Sequence, residues 1–95
     1  MNQTTGSTSR MPRIQVADLL NRISKGDFSS IKLRGLQDGS FCLLLEADDD
    51  SFILENANGS IKQYPKVDYA LTWLKRTTNA NEIVVDIRIW RSDEH

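Results

Sequence analysis

The sequence predicts an α+β fold in which a five-stranded antiparallel sheet carries two helices on one face. Two segments repeat apolar residues at helical spacing, and five short segments alternate apolar and polar residues. Their order along the chain is α-β-β-β-β-α-β, which suits one two-layer domain. The 95 residues carry a net charge of -1, so the composition is that of an ordinary globular protein without a strongly basic or acidic character.

The two helices are predicted from apolar stripes spaced i, i+3, i+4 and i+7. The first covers residues 16–25 and is followed by Gly26, a typical helix C-terminal glycine. The second covers residues 66–77 and follows Pro65, which ends a strand and suits a helix start. The stripes are formed by Val16, Leu19, Leu20 and Ile23 in the first helix and by Val67, Ala70, Leu71 and Leu74 in the second.

The five strands are predicted at residues 31–36, 41–47, 51–55, 60–64 and 82–90. Turn signals separate the first four into an antiparallel meander, with the Asn58-Gly59 pair as the strongest hairpin signal. The last strand then pairs either beside the fourth strand, in parallel, or beside the first, antiparallel. We favour the second arrangement, which gives the order 4-3-2-1-5 and lets both helices cover one face.

The domain boundaries follow from the absence of periodicity near both ends. Residues 1–12 are predicted to be a disordered tail, residues 13–92 a single domain, and residues 93–95 a frayed C-terminus. No apolar run approaches the length of about 18 residues that a membrane span needs, and no secretory signal is visible. We therefore expect a cytoplasmic protein without a membrane partner.

Catalytic and metal-binding patterns are missing from the sequence. The lone Cys42 excludes an internal disulfide and multi-cysteine zinc sites, and the only histidine is His95. The acidic run at residues 48–50 is consecutive, unlike the alternating ligands of an EF-hand, and is typical of a solvated turn. We therefore expect no enzyme, no cofactor and no metal.

The sheet face opposite the helices is predicted to be open and unusually apolar. Its apolar members are Cys42, Leu44, Ile53, Val84 and Trp90. Exposed apolar surface of this kind marks an interaction site unless loops, the N-terminal tail or Tyr64 cover it. We expect a protein partner on this face, and a second copy of the chain is the simplest one.

Basic residues on the same face favour an alternative hypothesis, nucleic-acid binding. Lys32, Arg34 and Arg88 are predicted to lie beside Trp90, and sheet-based RNA binders combine such cations with aromatic stacking. Carboxylates fall on this face as well, so cross-strand pairing of Asp86 with Lys32 or Arg34 is the competing interpretation.

A third candidate surface lies on the second helix. Tyr69, Trp73 and Arg76 follow one another at i, i+4 and i+7 and form a ridge beside the apolar stripe. Trp73 either completes the edge of the core or belongs to a partner-binding ridge, because these residue types are enriched in interface hot spots.

The order of elements and three short segments resemble an uncharacterised family of short bacterial proteins. The segments are Ala17-Asp18-Leu19-Leu20, Gly39-Ser40-Phe41-Cys42-Leu43-Leu44-Leu45 and Asn58-Gly59-Ser60-Ile61. The resemblance covers about residues 14–90, but the family's acidic, cysteine-containing C-terminal tail is not matched. It implies the fold and a bacterial origin, and it brings no catalytic residue, cofactor or substrate.

The overall expectation is a small non-enzymatic protein-interaction module, homodimeric through the open sheet face. The alternative is a nucleic-acid-binding accessory protein that uses the basic and aromatic residues of that face.

Overall fold

The computed structural model describes residues 11–48 and 50–91, and the predicted tail and frayed C-terminus lie largely outside them. The helices are α1 (Val16–Lys25) and α2 (Val67–Thr77), and the strands are β1 (Arg13–Ile14), β2 (Ser30–Gly35), β3 (Phe41–Glu46), β4 (Ser51–Leu54), β5 (Gln63–Tyr64) and β6 (Val84–Asp86). The α+β class and both helices are confirmed. Helix α1 has the predicted bounds and ends at Gly26, whose φ of 72° suits glycine.

The sheet is mixed, whereas a purely antiparallel sheet was predicted. Its order is β1-β4-β3-β2-β6, and β5 also pairs with β3. The two central hairpins, β2–β3 and β3–β4, are antiparallel as predicted. Strand β6 lies beside β2, which agrees with the predicted neighbours, but the two strands run parallel. Strand β1, which the sequence did not predict, pairs in parallel with β4.

The direction of β6 is explained by the segment between β4 and β5, residues 55–62, which leaves the sheet and returns to it. We call this segment the excursion. Leu44 faces Ile53, so an uninterrupted strand would place Glu55 opposite Cys42, but Gln63 takes that place. Strands β4 and β5 therefore run in the same direction along one edge of β3. Helix α2 returns the chain, and β6 then runs parallel to β2 instead of antiparallel.

The predicted Asn58-Gly59 hairpin forms the tip of this excursion. The Asn56 N–H donates to the Ser60 carbonyl at 2.7 Å, and Gly59 has a φ of 89°. The arms of the predicted third hairpin are also joined by a bridge between Glu55 and Ile61 and by a hydrogen bond from the Lys62 N–H to the Leu54 carbonyl at 3.0 Å.

The main core lies between the sheet and the two helices. Leu19 of α1 and Leu74 of α2 pack there against Leu33, Leu43 and Leu45 of the sheet. All five side chains are fully buried, as the helical stripes and strand alternation predict, whereas Val16 and Leu71 of the same stripes are exposed. In the part of the chain that is described, no helix has the length and apolar character needed to cross a bilayer.

The segment after β6 differs from the predicted long strand. The Trp90 N–H donates to the Ile87 carbonyl at 3.2 Å, so the chain turns after Asp86. The Trp90 ring stacks on Phe41 with 5.7 Å between the ring centroids, and its Nε1 donates to the Gly39 carbonyl at 3.0 Å. These contacts favour the turn over continued strand pairing.

Candidate functional site

The sheet face opposite the helices is covered at its centre. Cys42, Leu44 and Ile53 are buried, so the prediction that they form an open apolar face is wrong. The residues packed over them are Met11, Leu36 and Ile61. This cover comes from the segment before β1, the end of β2 and the excursion, which carry no strand pattern of their own.

The Cys42 thiol is a poor nucleophile in this position. Burial raises the pKa of the thiol, and the nearby positive charge of Arg34 offsets only part of that effect. Because the thiolate is the reactive form, the group behaves as a small apolar side chain.

Val84 and Trp90, the other two members of the predicted face, are separated by the structure. Val84 pairs with Lys32 and lies on the predicted face at the sheet edge. Trp90 is half-buried against the main core on the helix side, so its predicted place beside Val84 is wrong. The turn after β6 breaks the alternation from which that place was predicted.

Four exposed apolar side chains lie on and just after β6, and we call them the β6 edge. Their exposed fractions are 49% for Val84, 43% for Val85, 58% for Ile87 and 51% for Ile89. Strand β6 ends the sheet order, so one side of its backbone has no strand partner among the described residues. Together these features expose both apolar side chains and backbone hydrogen-bonding groups.

The sequence alternation predicted that Val85, Ile87 and Ile89 face the core. The signal that the sequence interpretation missed is the run Ile83-Val84-Val85. A strand with one buried face needs apolar residues only at alternate positions, but this run has apolar side chains on both faces.

Two of the three predicted nucleic-acid contacts, Lys32 and Arg88, are engaged by carboxylates, and Arg34 lies half-buried in the sheet between Cys42 and Asp86. The Lys32 Nζ lies 3.2 Å from a Glu46 carboxylate oxygen. Arg88 binds Asp86 through two hydrogen bonds of 3.0 and 2.7 Å. Asp86 lies directly opposite Arg34 in the β2–β6 pair, as the competing interpretation predicts, but its salt bridge is to Arg88, which the local turn brings closer.

The Asp86–Arg88 pair also fixes the turn after β6. The Asp86 Oδ1 accepts a hydrogen bond from the Arg88 backbone N–H at 3.0 Å. Hydrogen bonds from the Arg88 side chain and backbone hold the pKa of Asp86 far below its ordinary value, and the same carboxylate raises the pKa of Arg88. The carboxylate therefore stays ionised at neutral pH.

The predicted helix ridge lines an open groove between α2 and the excursion. The groove has a volume of about 720 Å³, and Tyr69, Trp73 and Arg76 all contribute to its wall. Tyr69 and Arg76 are exposed, whereas Trp73 is half-buried and packs against the main core. This packing favours the interpretation that Trp73 completes the core edge.

No metal-binding cluster of three or more suitable side chains occurs in residues 11–48 and 50–91. Comparison of the chain with known protein families, characterised proteins and solved structures gave no match. The resemblance to short bacterial proteins therefore stays a prediction.

Proposed function

We propose that this protein is a non-enzymatic interaction module that associates with a second copy of itself along the β6 edge. The observation that carries the proposal is the combination of four exposed apolar side chains with a strand edge that has no partner strand within residues 11–48 and 50–91. Edge strands with these properties are templates for strand addition, because the backbone supplies hydrogen bonds and the side chains supply apolar contact.

The opposite edge of the sheet offers much less to a partner. Strand β1 there has two residues, and the Arg13 guanidinium donates to the Gly59 carbonyl at 2.5 Å across the excursion. Short, charged edges are typical of strands protected against pairing. The contrast between the two edges supports β6 as the interaction surface.

The central sheet face of the sequence-based hypothesis is not part of this proposal, because three of its apolar members are buried. Nucleic-acid binding is not favoured either, because the carboxylates of Glu46 and Asp86 lie within ion-pair distance of Lys32 and Arg88 and offset their positive charge.

The proposal is tested by sedimentation velocity over a range of protein concentrations. The wild type is expected to form dimers, and Val85→Lys is expected to be monomeric because it places a charge at the centre of the edge. Val16→Lys is the matched control, since Val16 is similarly exposed, at 41%, beside the opposite edge. A monomeric wild type, or a Val85→Lys variant that associates like Val16→Lys, would refute the proposal.

A labelled oligonucleotide at low salt provides the arm for the nucleic-acid alternative. We expect the oligonucleotide not to bind. Binding that weakens as salt is added, and that is lost in Lys32→Glu, would favour that alternative.

A further inference from the structure

We infer that two copies join through antiparallel pairing of their β6 strands, about a two-fold axis that passes through Val85. The inference rests on the proposed function and adds the register, the orientation and an ion pair between the subunits. Each Glu82 carboxylate would face Arg88 of the partner subunit, and the two sheets would become one.

The orientation of the β6 side chains supports this arrangement. Val85 pairs with Leu33, a main-core residue, so Val85 points to the helix side of the sheet. Ile83 packs against the same core, and Ile87 lines the same surface cleft as Val85. These three residues therefore form an apolar row along the helix side of the edge.

Antiparallel pairing about Val85 matches this row with itself. Residues opposite each other then have numbers that add up to twice 85, so Val85 faces its own copy and Ile83 faces Ile87 of the partner subunit. On the other side of the sheet, Glu82 faces Arg88 of the partner subunit. The register thus places the helix-side apolar residues against one another and Glu82 against a base, which stabilises antiparallel pairs, and it leaves Val84 opposite Asp86 of the partner subunit.

Neighbouring registers are less favourable. An axis through Val84 places Glu82 opposite Asp86 of the partner subunit, and an axis through Asp86 places two copies of that carboxylate together. Like charges directly opposite each other destabilise a strand pair.

An axis through Ile87 would also pair acid with base, because Asp86 would face Arg88 of the partner subunit. It would require residues 87–90 to extend, whereas the Trp90 N–H donates to the Ile87 carbonyl and the Trp90 ring is held on Phe41. The Val85 register keeps Val84–Asp86 as they stand and needs only residues 82–83 and 87–88 to extend, and the Arg88 guanidinium beside Asp86 is 79% exposed. The register that moves less of the backbone is the simpler expectation for an interface.

The register is tested by exchanging charges between subunits. Glu82→Arg and Arg88→Glu are each expected to weaken self-association by about tenfold or more, because each creates two like-charge contacts per dimer. An equimolar mixture of the two variants is expected to restore dimers, since opposite charges then face each other at both positions. Asp50→Arg is the control for net charge, because Asp50 is an exposed acid in the turn between β3 and β4.

Each outcome decides between the register and the broader proposal. Restored dimers in the Glu82→Arg and Arg88→Glu mixture support the Val85 register. The Val85 register is overturned if this mixture does not restore dimers. It is also overturned if a mixture of Asp86→Arg and Arg88→Glu restores them, because that result would place the axis at Ile87. If Val85→Lys abolishes association while neither Glu82→Arg nor its mixture has an effect, the β6 edge stands as the interface and this register fails. If Val85→Lys has no effect, the proposed function itself fails.

Discussion

A single methyl group added at Gly35 is expected to expel Trp90 from its place on the sheet. An ideal Cβ at Gly35 would approach the Trp90 Cβ and lie 2.6 Å from its Cγ and 2.7 Å from its Cδ1. Real Cβ atoms essentially never lie within 3.0 Å of a heavy atom outside their own residue and its chain neighbours, so either the strand or the tryptophan must move. Gly35 is held by antiparallel pairing with Phe41, and the segment that carries Trp90, with its ring, is therefore the part that yields.

The cost of moving the ring follows from its contacts. The stacking on Phe41 is worth about 0.5–1.5 kcal/mol and the hydrogen bond to the Gly39 carbonyl about as much again. Partial exposure of the ring's apolar surface adds to these losses, so we expect Gly35→Ala to lower the free energy of unfolding by about 2–4 kcal/mol. That is a large share of the stability of about 5–15 kcal/mol typical of a small domain.

The assay is urea unfolding followed by far-ultraviolet circular dichroism, applied to a double-mutant cycle of Gly35→Ala and Trp90→Gly. If the Trp90 side chain is what the methyl group displaces, Gly35→Ala costs almost nothing once Trp90 is glycine. An equal cost in both backgrounds would refute the reasoning, and so would a Gly35→Ala variant as stable as the wild type.

Three further results are expected. Trp73→Ala lowers the midpoint of thermal unfolding clearly, because the ring packs against the main core; an unchanged midpoint with lost association would instead assign it to an interface. The Ser30 hydroxyl, and to a lesser extent Lys32, hold the pKa of Glu46 below its ordinary value, so this carboxylate stabilises the fold above its unfolded-state pKa. That contribution disappears as the pH falls through the lowered folded-state pKa, and Glu46→Gln should flatten the acid limb of stability measured by urea unfolding against pH. Cys42 should react with iodoacetamide far more slowly than a free thiol in native protein and at the normal rate in urea, and fast native labelling would contradict its burial.

The elements predicted correctly are those that local patterns specify. Helices α1 and α2 follow from stripes that lie within ten or eleven residues of chain. The hairpins β2–β3 and β3–β4 follow from alternation and from turns of a few residues between them. In each case the pairing partner is close along the chain, so the sequence pattern contains the necessary information.

The errors concern contacts between distant parts of the chain. Strand β1 has only two residues, too few for any periodicity, yet it pairs with β4. The excursion places Gln63 opposite Cys42, where an uninterrupted strand would place Glu55. Because this shift is an even number of residues, the same faces of the strand stay buried, and the side-chain pattern does not reveal the excursion. The direction of β6 and the cover over Cys42 both depend on this excursion.

The candidate site was only partly predictable for a related reason. Alternation within residues 82–90 identified an amphipathic segment, but exposure depends on whether another element covers it. Helix α2 packs over the centre of the sheet through Ala70 and Leu74, and the β6 edge lies outside this cover. The groove beside Tyr69 and Trp73 has the excursion as its second wall. Helical spacing predicts only the wall that α2 forms, so the groove itself could not be predicted.

The long sequence separation of the outer strands has a consequence for the order of folding. Gly35 and Phe41 pair across six positions, whereas Arg13 and Ile53 pair across 40 and Lys32 and Val84 across 52. Closing a longer loop costs more chain entropy, so the central hairpins form early and the outer strands dock onto them afterwards. Strand β6 is then both the last to dock and the first to detach in native-state fluctuations, and pairing with a second copy would slow its amide hydrogen exchange more than that of the central hairpins.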